Sequence, residues 1–226
     1  MRINEVISTD LDEGVNDPHI FKAIFVVGPP GAGKNTVITE LGLTGKGLKL
    51  GDVDDTLAFL QRSKRTNTAD YAASLEVTKR RQSVWQQGHL GVLINTTGRE
   101  ADAIKQLKDS LAQIGYSTFL LFVDVNEDIA AQRIASRKAS ATAGRDAGRE
   151  VTRDYFKSAF KQSKENIEFF ALMFGSNFAL VTNNELLVKG MPVDETIQRA
   201  EKKINRFLAA PLSTKAQAII DAAKSR

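Results

Sequence analysis

Nine consecutive residues, 28–36, combine the residue types that a protein uses to hold phosphate groups. They read GPPGAGKNT, with glycine at 28, 31 and 33 and lysine at 34. Glycines let successive backbone N–H groups turn toward phosphate oxygens, and the lysine adds a cation against the β- and γ-phosphates. The pattern G-x-x-x-x-G-K is typical of a P-loop. The predicted nucleotide contacts are Gly28, Pro29, Pro30, Gly31, Ala32, Gly33, Lys34, Asn35 and Thr36.

A P-loop works only between a buried strand and a helix, and the flanking sequence predicts both. Residues 23–27 (AIFVV) form a short apolar run without helical period, which indicates a buried parallel strand. A helix is predicted over 36–43, and its N-terminus would add partial positive charge to the loop. This context favours a nucleotide-binding loop over a simple glycine-rich turn.

Apolar strands alternate with helices along the rest of the chain. Further strands are predicted at 48–53, 90–95, 118–125 and 178–182, and helices at 56–62, 71–87, 101–114, 127–140, 151–173, 194–208 and 214–223. This order predicts an α/β, three-layer P-loop NTPase fold with a parallel sheet of about five strands and helices on both faces. Ligands bind such folds at the carboxyl ends of the strands.

Composition narrows the possible functions. The 226 residues contain no cysteine, which excludes disulfides, thiolate metal sites and a cysteine nucleophile. No apolar run is long enough to span a bilayer, so we expect a cytoplasmic protein without a membrane partner. The formal charge of +4 is small, which argues against nucleic acid as a partner without excluding it.

Residues 21–184 resemble the P-loop kinases, and within them the zeta-toxin-like group, which includes phage-encoded members. In the loop itself, Asn35 separates Lys34 from Thr36, as a non-hydroxyl residue does in adenylate-kinase-like loops. The stretch Asp52-Val53-Asp54 is similar to the group's Asp-x-Asp. The resemblance implies that Asp54 is the base on an acceptor hydroxyl, with Asp52 beside it at the substrate. The alternative is that these acids are turn and cap residues of the following helix.

A third stretch, residues 91–99 (GVLINTTGR), is similar to the family's strand that ends in an acid and a Gly-Thr turn. Asn95 stands where the acid would help to hold the water shell of Mg²⁺, and Asn35 stands where a hydroxyl usually ligates the ion. The resemblance therefore implies water-mediated Mg²⁺ near Thr36, Asn35 and Asn95. It implies substrate contacts for Thr97 and Arg99, with plain turn chemistry as the alternative.

A fourth stretch runs from the strand at 122–125 through several arginines and resembles the arginine-bearing helix and lid of these kinases. It contains Arg133, Arg137, Arg145 and Arg149, in an Arg-rich lid at about 138–150. The resemblance implies that Arg137, Arg145 and Arg133 neutralise the transferring group and that Arg149 contacts substrate. An exposed, charged helix face is the alternative. Asn183 and Asn184, after the last strand, are interpreted as a simple turn.

The resemblance as a whole implies an ATP- and Mg²⁺-dependent phosphotransferase acting on a hydroxyl or phosphate of a small molecule. One alternative is a nucleotide or polynucleotide 5′-hydroxyl kinase. The other is a catalytically weak nucleotide-binding module with a structural or regulatory role, which Asn35 and Asn95 favour. A phage-encoded member would work in the host cytoplasm.

The expected organisation is a polar lead-in over 1–19, a P-loop kinase domain over 20–185 and a C-terminal helical extension over 186–226. The extension carries an apolar stripe of Ile197, Ala200, Ile204 and Leu208. Such a stripe is expected to pack on the domain or on another subunit, which leaves an oligomer possible.

Overall fold

The structure is a computed structural model, and it describes residues 17–62, 71–141, 151–184 and 195–224. Within them lies a five-stranded parallel sheet, in the order β2-β3-β1-β4-β5. The strands are β1 (Lys22–Val27), β2 (Lys49–Gly51), β3 (Val92–Thr96), β4 (Ser117–Asp124) and β5 (Phe178–Thr182). Every residue of β1 is buried, as its continuous apolar run predicts for a central parallel strand.

Helices cover both faces of this sheet and confirm the predicted three-layer α/β fold. They are α1 (Lys34–Glu40), α2 (Val53–Arg62), α3 (Tyr71–Gln87), α4 (Ala101–Gln113), α5 (Glu127–Ala141), α6 (Arg153–Glu165), α7 (Ile167–Phe174), α8 (Glu195–Ala209) and α9 (Thr214–Lys224). Helices α1 and α8 contribute to the core on one face, and α4, α7 and α9 to the core on the other. None of these described helices has the length and apolar character needed to cross a membrane.

The single long helix predicted over 151–173 is wrong, because the helix is interrupted at Asn166. This residue ends α6 and precedes α7. Its side-chain amide donates to the backbone oxygens of Gly98 (3.0 Å) and Arg99 (3.1 Å), in the turn after β3. The Asn166 side chain therefore holds the turn that follows the carboxyl end of β3.

The C-terminal extension packs on the domain itself and passes from one face of the sheet to the other. The predicted stripe on α8 is buried in the first core, while Ala216 and Ile220 of α9 are buried in the second. Between the two helices the chain passes Lys22 at the start of β1. The Lys22 ammonium donates to the backbone oxygens of Ala210 (2.9 Å) and Pro211 (3.4 Å) and lies 5.1 Å from the centre of the Phe207 ring. The chain therefore crosses between the two faces at the amino end of β1, while the P-loop lies at the carboxyl end of the same strand.

Replacing Lys22 by methionine is expected to lower the free energy of unfolding by about 1–3 kcal/mol, because it removes both hydrogen bonds that the buried ammonium donates. Urea denaturation of the two proteins measures the difference. The matched control is Lys203→Met, since the Lys203 ammonium also donates to a backbone oxygen, that of Phe178, but at an exposed position. The control substitution should lower the free energy of unfolding by less than about 0.5 kcal/mol. Equal losses in the two variants would contradict the role given to Lys22.

Candidate functional site

The P-loop joins β1 to α1 in the strand–loop–helix context that the motif requires. Gly31 and Gly33 have positive φ angles of +80° and +79°, a region that other residues rarely adopt. A Cβ atom at Gly31 would lie 2.5 Å from the Ala130 oxygen, and one at Gly28 would lie 2.3 Å from the Val123 oxygen. The loop therefore follows a path that side chains at these positions would block.

The Lys34 ammonium lies inside the curl of the loop. It donates to the backbone oxygens of Gly28 (2.9 Å) and Pro29 (3.3 Å). Burial lowers the pKa of Lys34 to about 8, and the Arg137 cation acts in the same direction, while Asp52 and Asp54 oppose the shift. These three charged residues are therefore close enough to act on the Lys34 ammonium.

The lowered Lys34 pKa predicts that ATP affinity depends on pH. Because a triphosphate binds the protonated lysine, the affinity is expected to be constant near pH 7 and to fall above about pH 8. The decline should approach about tenfold per pH unit as the lysine loses its proton. Calorimetric titrations between neutral and alkaline pH measure it. Lys34→Arg is the control, because a guanidinium stays charged throughout this range, so its ATP affinity should not fall with pH.

Two of the predicted arginines lie on one face of α5. The Arg133 guanidinium nitrogen Nη1 is 3.4 Å from the backbone oxygens of both Gly31 and Ala32. Burial and the neighbouring Arg137 cation lower the pKa of Arg133. Arg137 is exposed one helical turn further on. Arg133 is therefore placed next to the P-loop, and the role of Arg137 stays a prediction.

The other two predicted arginines, Arg145 and Arg149, lie outside the described residues. The same holds for most of the predicted lid at 138–150, apart from the end of α5. Their roles stay predictions.

Asp52 lies at the end of β2, where it caps α2. Its Oδ1 accepts from the backbone N–H groups of Asp54 (2.8 Å) and Asp55 (3.4 Å). Its Oδ2 accepts from the side-chain amides of Asn35 (3.0 Å) and Asn95 (3.2 Å). The helix-cap alternative is thus what the structure shows for Asp52. Its predicted contact with substrate would have to share oxygens that already accept protein donors.

Asp54 lies one step further on, in the first turn of α2, and is exposed. Its carboxylate acts on the Lys34 ammonium. An acid in the first turn is also favourable for the helix, since the N-terminal end of a helix carries partial positive charge. The role of Asp54 as the base stays a prediction.

The side chains at the predicted Mg²⁺ position do not fit a directly ligated ion. Mg²⁺ prefers carboxylate, hydroxyl and water oxygens in an octahedral arrangement. Asn35 directs its Oδ1 at the amide of Asn95, 2.8 Å away. The described residues also contain no group of three or more His, Asp or Glu side chains that could hold a metal. The water-mediated ion near Thr36, Asn35 and Asn95 stays a prediction.

The turn after β3 holds the other two predicted substrate contacts. The Thr97 backbone oxygen accepts from the Ser163 hydroxyl at 2.7 Å. The Arg99 guanidinium is 2.6 Å from the Glu100 carboxylate and 5.5 Å from the centre of the Tyr155 ring. The structure thus ties both residues to nearby elements, and their contacts with substrate stay predictions.

Sequence reasoning missed two features of this end of the sheet. Asn183, interpreted as a simple turn, donates its buried side-chain amide to the Ala32 backbone oxygen at 2.7 Å and so braces the P-loop. Lys164 of α6 forms an ion pair with Asp124 at the end of β4. The available signal for Asn183 was a polar residue directly after a parallel strand, and that for Asp124 was an acid at the carboxyl end of an apolar strand.

A P-loop after the central strand of a β2-β3-β1-β4-β5 sheet defines a P-loop kinase-like α/β fold. The zeta toxin family model matches residues 13–186, and the chain belongs to the zeta toxin family. A comparison with curated proteins finds no match.

Solved structures share the fold at low sequence identity. A protein of the PezAT chromosomal toxin–antitoxin system of Streptococcus pneumoniae is 15% identical, with a TM-score of 0.53, over 92% of this chain and 96% of that one. The AvrRxo1-ORF1:-ORF2 structure with ATP is 14% identical, with a TM-score of 0.56, over 80% of this chain and 62% of that one. A Chloroflexus aurantiacus protein, provisionally described as a kinase, is 14% identical, with a TM-score of 0.54. The match covers 82% of this chain and 97% of that one.

Proposed function

We propose that this protein is an ATP-dependent phosphotransferase that moves the γ-phosphoryl group of ATP to a hydroxyl or phosphate group of a small molecule. The observation that carries the proposal is the position of two cations at the P-loop. The Lys34 ammonium donates to the backbone oxygens of Gly28 and Pro29 inside the loop. The Arg133 guanidinium lies 3.4 Å from the backbone oxygens of Gly31 and Ala32. Asp54, in the first turn of the helix that follows β2, is the proposed acceptor-side carboxylate. Phosphoryl transfer needs these charges, because catalysis consists mainly of positioning and charge stabilisation.

Triphosphate binding follows from the loop and its cations. Inward-facing N–H groups of the P-loop and the N-terminus of α1 attract phosphate oxygens. Lys34 would exchange its bonds with Gly28 and Pro29 for the β- and γ-phosphates. Arg133 and Arg137 lie on the α5 side of the loop and would reduce the negative charge of the transferring group. The AvrRxo1 complex, a structure with ATP that shares this fold, supports the choice of nucleotide.

Asp54 acts as the base on the acceptor hydroxyl. An acceptor hydroxyl beside it attacks the γ-phosphorus, and the new phosphorus–oxygen bond forms as the bond to the β–γ bridging oxygen breaks. ADP leaves with that electron pair, and the hydroxyl proton passes to the Asp54 carboxylate. A carboxylate in an exposed first turn can reach a bound molecule without a rearrangement of the sheet.

The acceptor is expected to be small, because the net charge of +4 gives little support for a long nucleic-acid track. Nucleotide sugars, nucleosides and their monophosphates are the classes to examine first. A polynucleotide 5′-hydroxyl is the less favoured acceptor.

A second candidate function is a nucleotide-binding module with little catalysis. The bonds among Asn35, Asn95 and Asp52 favour it, because they occupy groups that ordinarily serve the metal of a kinase. Asp54 favours the phosphotransferase, since a binding module needs no acceptor-side base.

Incubation of the protein with γ-labelled ATP and each acceptor class decides between these functions. We expect label to appear on one class and not on the others. ATP binding without any labelled acceptor or released phosphate would contradict the phosphotransferase and favour the binding module.

A further inference from the structure

Three side chains from separate parts of the chain form one hydrogen-bonded group beside the P-loop, which we call the asparagine cluster. Asn35 comes from α1, Asp52 from the end of β2, and Asn95 from β3. The Asn95 amide donates to the Asn35 oxygen at 2.8 Å and to Asp52 Oδ2 at 3.2 Å. The Asn35 amide donates to the same Asp52 oxygen at 3.0 Å. The two asparagines that depart from the kinase pattern are therefore bonded to each other.

The cluster satisfies the charge of Asp52 without a cation. Asp52 is only 8% exposed, so its carboxylate needs partners in place of water. Backbone N–H groups at the start of α2 supply two donors to one oxygen, and the two asparagine amides supply two donors to the other. All four hydrogen bonds to this carboxylate therefore come from N–H groups of the protein.

The amide at position 95 is what makes the cation dispensable. An aspartate there would place a second carboxylate about 3 Å from Asp52, and two carboxylates that close cannot both ionise unless a cation lies between them. Asparagine has the same shape but donates a hydrogen bond. At position 35 a hydroxyl would offer a ligand to Mg²⁺, whereas the Asn35 oxygen accepts from Asn95.

We propose that the asparagine cluster takes the structural place of the divalent cation, so that the protein binds metal-free ATP as tightly as ATP bound to Mg²⁺. This inference rests on the proposed nucleotide binding. The charge of the phosphates is met by Lys34, Arg133 and Arg137, and the cluster fixes Asp52, which joins β2 to the helix that carries Asp54. The Mg²⁺ ion then belongs to the nucleotide and not to a site on the protein.

Calorimetric titration of the full chain with ATP, once in EDTA and once in excess Mg²⁺, tests this proposal. The two dissociation constants are expected to agree within about threefold. Asn95→Asp restores the second carboxylate, so its ATP affinity should fall at least about tenfold in EDTA and recover when Mg²⁺ is added. Gln106→Glu, which adds the same charge on the exposed face of α4, should behave like the wild type.

A second variant keeps the test decisive if Asn95→Asp does not fold. Asn35→Ser supplies the usual hydroxyl and leaves Asn95 bonded to Asp52, so Mg²⁺ should strengthen its ATP binding at least about threefold. A wild-type protein whose ATP affinity rises more than about threefold with Mg²⁺ would overturn the proposal and favour the water-held ion that the sequence implies. No ATP binding in either buffer would instead refute the nucleotide-binding function on which it rests.

Discussion

Lys34→Ala is expected to weaken ATP binding about a hundredfold, equivalent to about 2.8 kcal/mol. The variant loses a cation that lies inside the loop and that would contact the β- and γ-phosphates. Its bonds to Gly28 and Pro29 show that the ammonium already points into the curl where phosphate would bind. Calorimetric titration with ATP at pH 7, where the lysine carries its proton, measures the loss.

Two comparisons separate this effect from general damage. Affinity for AMP should change little, because AMP lacks both phosphates that Lys34 would contact. Lys202→Ala, on the exposed side of α8, should bind ATP as the wild type does. Unchanged ATP affinity in Lys34→Ala would refute the assignment of residues 28–36 as a nucleotide-binding loop.

Asp54→Asn is expected to slow phosphoryl transfer by about a hundredfold to ten-thousandfold, without weaker ATP binding. The amide keeps the size of the side chain but cannot take the proton of the acceptor hydroxyl. Single-turnover transfer rates at saturating ATP, with a separate titration of ATP binding, give both quantities. The acceptor is the one found with γ-labelled ATP.

Asp55→Asn is the matched control for Asp54. Both residues are exposed in the first turn of α2, and both donate their backbone N–H to Asp52. A loss of rate in Asp54→Asn alone would identify Asp54 as the base. Equal losses in the two variants would mean that the rate depends on the total negative charge at the start of α2 and not on the Asp54 carboxylate. An unaltered rate in Asp54→Asn would remove it as the base.

Much of the fold could be predicted because its signals are local. The apolar run of β1 and the glycines and lysine that follow it define the P-loop within a dozen residues, and this region lies as predicted. The break at Asn166 could not be predicted, because that side chain bonds to Gly98 and Arg99, which lie 68 and 67 residues away. Nothing in the residues around 166 signals such a partner.

The site was only partly predictable, because some of its contacts join residues that are far apart in the sequence. Residue types at strand ends indicated where Asp52, Asp54 and Asn95 would lie, since the carboxyl ends of parallel strands meet at one edge. The bond between Asn35 and Asn95 joins residues 60 positions apart, and it depends on how β3 aligns with β1. Each asparagine alone suggests a lost metal ligand, and only the structure shows that the two side chains are hydrogen-bonded to each other.

The central claim, γ-phosphoryl transfer at this P-loop, is tested most directly by a single-turnover reaction. Protein in excess over γ-labelled ATP is mixed with the acceptor panel, and label is followed on ATP, free phosphate and acceptor. We predict that label moves from ATP to one acceptor in the wild type and stays on ATP in Asp54→Asn. Label that stays on ATP in the wild type, with all of the nucleotide bound, would contradict a phosphotransferase.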